Sequence, residues 1–208
     1  MKHKKALLID LDNTIYPAAS IGDKLFTQLY SILASDSSLE GEMDAMKEAI
    51  LRKPFHHVAA TFNLSQPLYK KCIDHLVELT YSEQMSYYDD FEMIRALEHK
   101  KFLITAGFTK LQQSKVDSLG IRNDFMEVHV MDFTKSDKTK KHAFEKIMSD
   151  HGLVKEDVLV IGDDPESEIK AGLELDLDCI LYDSLNLFEH RTDLKRITHF
   201  SELTQLLH

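Results

Sequence analysis

Apolar residues along this chain fall into two rhythms. Short, nearly unbroken apolar runs lie at 6–11, 102–105, 128–131, 158–161 and 179–182. Runs of this length, bounded by polar or turn residues, read as β-strands buried on both faces. Between the later runs the apolar positions recur at helical spacing, over roughly 110–119, 138–151 and 166–175. Strand and helix in alternation predict an α/β fold: a Rossmann-like parallel sheet with helices against both faces.

The interval 17–89 breaks the alternation. No strand pattern is found there. Leu25, Leu29, Ile32 and Leu33, and later Leu68, Cys72, Leu76 and Leu79, repeat with the period of a helix. Breaks at 35–38, at Pro54 and at 63–67 divide the interval into about four helices. The expected organisation is an α/β core of residues 1–16 and 90–208 carrying an inserted helical unit of residues 17–89.

Bulk properties narrow the function. The chain has 208 residues, 43% hydrophobic and 29% charged, which suits one globular domain with an insert. Its formal net charge of −10 argues against a nucleic-acid polymer as partner. A small phosphorylated metabolite needs only one local positive site and stays open. The first apolar run ends at Asp10, too short for a signal or spanning segment, so no membrane partner is expected. Cys72 and Cys179 give neither a disulfide framework nor a metal-ligand spacing, and a reduced, cytoplasmic protein is the reading. The histidines are scattered, and the adjacent His56 and His57 do not share a helix face, so no zinc site is expected.

Candidate chemistry collects at strand ends, where open α/β sheets bind ligands. The first strand runs into Asp10, Asp12, Asn13 and Thr14. Residues i and i+2 of a strand share a face, so Asp10 and Asp12 would crowd together and call for a cation or a catalytic task. The second strand delivers Thr105, Ala106 and Gly107, and the fourth Gly162, Asp163, Asp164 and, one turn on, Glu168. Lys138 opens the helix before the fourth strand. Such a set suits a phosphate monoester: one carboxylate to attack phosphorus, a second as acid and base, and Mg²⁺ plus a lysine and a hydroxyl to hold the phosphate charge. Lys140 and Lys141 read as a solvated helix face.

These pieces resemble, in order, the four motifs of the haloacid dehalogenase-like (HAD) superfamily: DLDNT from Asp10, ITAG around Thr105, Lys138 six residues before Phe144, and Gly162-Asp163 with Glu168. The resemblance covers nearly the whole chain. It implies Asp10 as nucleophile and Asp12 as acid and base. It also implies Mg²⁺ on Asp10, Asp163 and the Asp12 carbonyl, with phosphate held by Thr105 and Lys138. An aspartate at the Asp12 position implies phosphate transfer, since the dehalogenases of the family usually lack it. The insert resembles the α-helical cap of one branch, and DLDNTIYP with ITAGFTKLQQSK is similar to pyrimidine 5'-nucleotidase-type members. This chain departs from the pattern in several places. The third motif lacks its prolines and offers Lys135 as an alternative to Lys138. Glu168 stands where many relatives have Asp, and Ala106 where they have Asn. Tyr16, at the entry to the insert, is a candidate substrate contact. The implied activity is Mg²⁺-dependent hydrolysis of a small phosphate monoester through an aspartyl-phosphate, with a nucleoside 5'-monophosphate as first candidate. The alternatives are a sugar phosphomutase and a non-catalytic phosphate-binding or docking module on the same fold.

Overall fold

The computed structural model describes residues 4–207. Its strands are β1 (Ala6–Ile9), β2 (Lys100–Ala106), β3 (Glu127–Met131), β4 (Val158–Gly162), β5 (Asp178–Tyr182) and β6 (Arg196–Ile197). Among the described residues they form one sheet in the order β3-β2-β1-β4-β5-β6, and every pairing is parallel. The chain winds outward from β1 in one direction, then returns to place β4 on its other side. The sheet therefore changes direction at the β1–β4 pair, which opens a crevice beyond the strand ends.

Strand alternation splits the core in two. Leu7, Ile9, Leu103, Leu159 and Ile161 face one apolar cluster, while Ala6, Leu8, Phe102, Ile104, Val158 and Val160 face the other. Both faces are thus buried, which is why the strands carry apolar residues at consecutive positions. Helix α6 (Thr109–Leu119) sends Leu111, Val116 and Leu119 into the first cluster, together with α5 (Phe91–Arg95) and α9 (Phe200–Leu207) through Phe91, Ile94, Phe200 and Leu203. Helix α7 (Lys140–His151) packs Ala143, Phe144 and Ile147 into the second, and the short α8 (Lys170–Leu173) adds Ala171 to it.

Between β1 and β2 the regular elements are helical until the sheet resumes: α1 (Ala19–Leu33), a 3-10 turn at Ser37–Glu42, α2 (Met43–Ile50), α3 (Phe55–Thr61), α4 (Gln66–Leu76) and then α5. Cys72, Leu25 and Leu29 are buried there, as their spacing predicts. Beyond the expectations are α5, α9 and the two-residue β6. Among the described residues no helix is long and apolar enough to cross a membrane.

Candidate active site

The loop after β1 turns back at once. Ile15 N–H donates to Leu11 O (2.9 Å) and Asn13 adopts a left-handed backbone, φ 56°. Asn13 accepts from Ala18 N–H (3.1 Å) and donates to Leu51 O (3.3 Å), so the same residue that reverses the chain fastens it to the helical insert. Asparagine suits both tasks, because its short amide tolerates φ > 0 and bonds to nearby backbone. The turn leaves Asp10 at the sheet end, 5% exposed, and Asp12 one step further on.

Asp10 lies in a buried carboxylate cluster. Oxygens of Asp10, Asp163 and Glu168 all fall within 4.8 Å of one another. Glu168 reaches inward from a π-helical turn at Pro165–Ile169, whose start Asp164 caps by accepting from Glu166 N–H (2.8 Å). Glu168 in turn accepts from Asp164 N–H (2.7 Å). Gly162 makes room for it: a Cβ there would sit 2.2 Å from Glu168 Cγ. Lys140 Nζ donates to Asp10 (2.5 Å) and Glu168 (2.6 Å), and Arg52, from the loop after α2, reaches Asp163 at 3.3 Å.

Burial raises the Asp10 carboxyl to about 7 against the opposing pull of Lys140, with Glu168 and Asp12 adding to the rise. Asp163 is likewise pushed well up, by burial and then by Glu168 and Asp10. Burial works against the Lys140 ammonium, yet Asp10 and Glu168 hold it charged and above its ordinary value. Three carboxylates against one buried lysine and one arginine are short of positive charge. A hard divalent cation with oxygen ligands would supply it, so these residues fit Mg²⁺, with Asp10, Asp163 and Glu168 as the side chains able to hold it.

Asp12 has a different environment. It accepts from Lys115 (2.7 Å), from Gln112 (2.7 Å) and from the Tyr16 hydroxyl. Burial favours its neutral form, but Lys115, Tyr16 and Gln112 outweigh that and bring its carboxyl below the ordinary value. Gln112 also donates to Thr105, which is 1% exposed, so one amide ties the ends of β1 and β2 together. Gly107 permits this packing, since its φ is 149° and a Cβ would meet Gln112 at 3.2 Å. Helix α6, which carries Gln112 and Lys115, is fixed at its start by Asp132 beyond β3, whose carboxylate accepts from Thr109 N–H (2.9 Å) and hydroxyl (2.7 Å).

The structure brings Asp10, Asp12, Tyr16, Thr105, Ala106, Gly107 and Asp163 to one chamber of about 120 Å³. Helix α1 of the insert walls it with Ile21, Leu25 and Phe26. Tyr16 is wholly buried, with its hydroxyl on Asp12. Lys138 does not join them. It is exposed, while Lys140, expected on a solvated face, is 7% exposed and bonded to Asp10. The cause is the helix start. A capping box between Thr139 and His142 begins α7 at Lys140, so Lys140 stands three and four residues before Ala143 and Phe144, on their buried face. Lys138 precedes the cap. Lys135 is also on the surface, 3.5 Å from Asp132. Sequence reasoning missed Gln112, Lys115 and Arg52 as well. The first two had a signal, since they interrupt the apolar face of α6 formed by Leu111, Val116 and Leu119. Arg52 had none.

The family model described as haloacid dehalogenase-like hydrolase matches residues 7–182. The chain belongs to the haloacid dehalogenase-like hydrolases. Solved structures share the fold of this HAD protein at low identity. YfnB of Bacillus subtilis, a HAD-hydrolase bound to magnesium, is 18% identical with a TM-score of 0.66, covering 99% of both chains. A HAD phosphatase of Thermococcus onnurineus is 16% identical (TM-score 0.65; 99% of this chain and 97% of that one). The L-2-haloacid dehalogenase of Xanthobacter autotrophicus is 13% identical (TM-score 0.59; 98% of both chains). No curated protein sequence matches the chain.

Proposed function

We propose that this HAD hydrolase is a Mg²⁺-dependent phosphatase that cleaves a small phosphate monoester through an aspartyl-phosphate on Asp10. The observation that carries this reading is the pair of carboxylates with opposed surroundings. Asp10 sits in the cluster with Asp163, Glu168 and Lys140, and Asp12, held apart by Lys115, Gln112 and Tyr16, faces the same chamber. Groups of one chemical type whose environments push them apart are suited to separate roles in one reaction.

In this reading Asp10 attacks phosphorus and the bond to the leaving oxygen breaks. Asp12 gives that oxygen a proton. The proton is recovered when Asp12 takes one from the water that hydrolyses the aspartyl-phosphate. Asp12 starts as a carboxylate, the form a base needs. An arriving phosphate dianion beside it favours uptake of the proton it then donates. Lys140 and the Thr105 hydroxyl share the phosphate charge. The bound Mg²⁺ would neutralise the repulsion between phosphate and carboxylates. Helix α1 and the loop around Arg52 serve as the cap that keeps bulk water from the chamber. The Asp12 carboxyl supports phosphate transfer over dehalogenation, which has no leaving alkoxide to protonate. Nucleoside 5'-monophosphates belong in the panel of monoesters that tests the reaction.

The test is release of inorganic phosphate from p-nitrophenyl phosphate and a panel of monoesters, with Mg²⁺ and with a chelator, by the wild type and by Asp10→Asn. Metal-dependent release that Asp10→Asn abolishes, with the circular dichroism spectrum unchanged, is the expected result. Full activity in Asp10→Asn would remove that residue from the nucleophile role.

A further inference from the structure

We propose that the natural substrate carries a second anionic group, a phosphate or a carboxylate, which binds between Lys53 of the helical insert and Lys138 of the core; the inference rests on the phosphatase reading above. The chamber over Asp10 is small, about 120 Å³ against the several hundred usual for ligand sites. It opens at Arg52, Lys53, Lys140 and Asp164 into a trough of about 1300 Å³. A phosphate held on Asp10 fills much of the chamber, so the body of any larger substrate lies in the trough.

The trough walls carry surplus positive charge in a chain of net charge −10. Several of their cations are already engaged: Lys141 with Glu174 (3.0 Å), Lys170 with Glu166 (3.7 Å) and Arg191 with Asp193 (2.9 Å). Lys53 and Lys138 are not. Both are exposed, and among the described residues neither makes an ion pair or a side-chain hydrogen bond. Asp137 and Asp164 also border the trough, but over the whole lining seven lysine and arginine residues stand against four aspartate and glutamate residues. The scissile phosphate has its own lysine in Lys140, so Lys53 and Lys138 are free for another anion. Like charges lining a low-dielectric cleft focus the potential and draw anions into it.

The same wall also offers an aromatic surface to a substrate body. His56, on the same wall, packs its ring between His57 (4.0 Å) and Phe133 (4.2 Å). Its Nδ1 is buried without a hydrogen-bond partner. Burial, then the neighbouring His57, lowers its tendency to protonate, so the ring adds no positive charge to the wall and serves as a flat apolar surface.

The experiment compares kcat/KM, in Mg²⁺, for matched pairs: fructose 6-phosphate against fructose 1,6-bisphosphate, and glycerol 3-phosphate against 3-phosphoglycerate, with p-nitrophenyl phosphate as the probe of the reaction itself. At least one doubly anionic member is expected to be preferred by about fivefold or more, the scale of two solvent-exposed ion pairs. Which pair shows it separates phosphate from carboxylate. The Lys53→Met/Lys138→Met double variant should bring the ratio to about one. A ratio near one in the wild type for both pairs, or a preference that survives the double substitution, overturns the inference while p-nitrophenyl phosphate hydrolysis leaves the phosphatase reading standing. Release from no compound at all refutes both.

Discussion

Replacing Lys140 with methionine keeps the length of the side chain and removes a buried charge from between two carboxylates. The Asp10 and Glu168 side chains are 6% and 2% exposed, and Lys140 lies within 2.6 Å of both. Breaking a buried pair by deleting one partner leaves uncompensated charge and costs about 3–5 kcal/mol. For a domain of this size that lowers Tm by roughly 6–20 °C. The cost depends on pH in a defined direction. Asp10 already titrates at about 7, raised from an ordinary 3.8. A carboxyl raised on folding contributes stability that is complete below its unfolded value and is lost as pH rises through the folded one. Without Lys140 the folded value moves higher still, so the loss is largest at pH 8 and shrinks toward pH 5, where Asp10 can be neutral. Urea unfolding in chelator at both pH values measures this. Lys138→Met is the control, expected within about 0.5 kcal/mol of wild type. A loss below about 1 kcal/mol for Lys140→Met at pH 8, or an equal loss for Lys138→Met, would show that Lys140 is not the buried counterion.

Asp10→Asn carries the opposite sign. In chelator at pH 8 it should stabilise the protein, of order 2–4 kcal/mol from the size of the Asp10 shift, and the gain should vanish by about pH 4; a destabilised variant at pH 8 would contradict this. Lys115→Met takes from Asp12 its nearest cation, so kcat should fall by about tenfold or more and the limb of the pH–rate profile set by Asp12 should move to higher pH. An unmoved profile would separate Lys115 from the acid–base group. Asp132→Ala should cost about 2–3 kcal/mol in urea unfolding, because Thr109 N–H at the start of α6 and Thr134 N–H (3.0 Å) lose their acceptor. A change under 0.5 kcal/mol would mean that water replaces the carboxylate.

Strands and long helices were legible in the sequence because burial on both faces forces consecutive apolar residues, and one-sided burial forces helical spacing. The run at 158–161 became Val158–Gly162, and 110–119 became Thr109–Leu119. Elements that are short or that owe their place to distant partners were not legible. Strand β6 has two residues, and α9 is held partly by its first N–H, which donates to Asp90 (2.7 Å) more than a hundred residues away. At the site, Asp10, Asp12, Thr105 and Asp163 were legible because strand ends announce themselves. Lys140 was misread because a two-residue shift in a helix start changes which lysine faces inward, and the Thr139 cap that sets it looks like any threonine before a helix. Gln112 and Lys115 show that a polar residue in the apolar phase of a helix is worth following. Arg52 meets Asp163 only through tertiary folding, which no local pattern records.

The position of β1 in the sheet also governs how the chain reaches this structure. Ala6 pairs across to Lys100 on one side and to Val158 on the other. The central strand is thus the first to be made and among the last to find its neighbours, and sheets built from such distant pairings form slowly. During synthesis β1 waits, apolar and unpaired, for most of the chain to emerge. The helical insert is placed to ease the delay. Helices α1 and α4 pack on each other through nearby segments, so this unit can collapse early and draw its two ends together. Closing the loop from β1 to β2 then spans a folded body and no longer a free coil of some ninety residues, which lowers the entropy lost at that step. The insert that walls the chamber is thus expected to act as a folding scaffold for β1 as well. Mutations that loosen the α1–α4 contact should slow refolding before they alter the finished site.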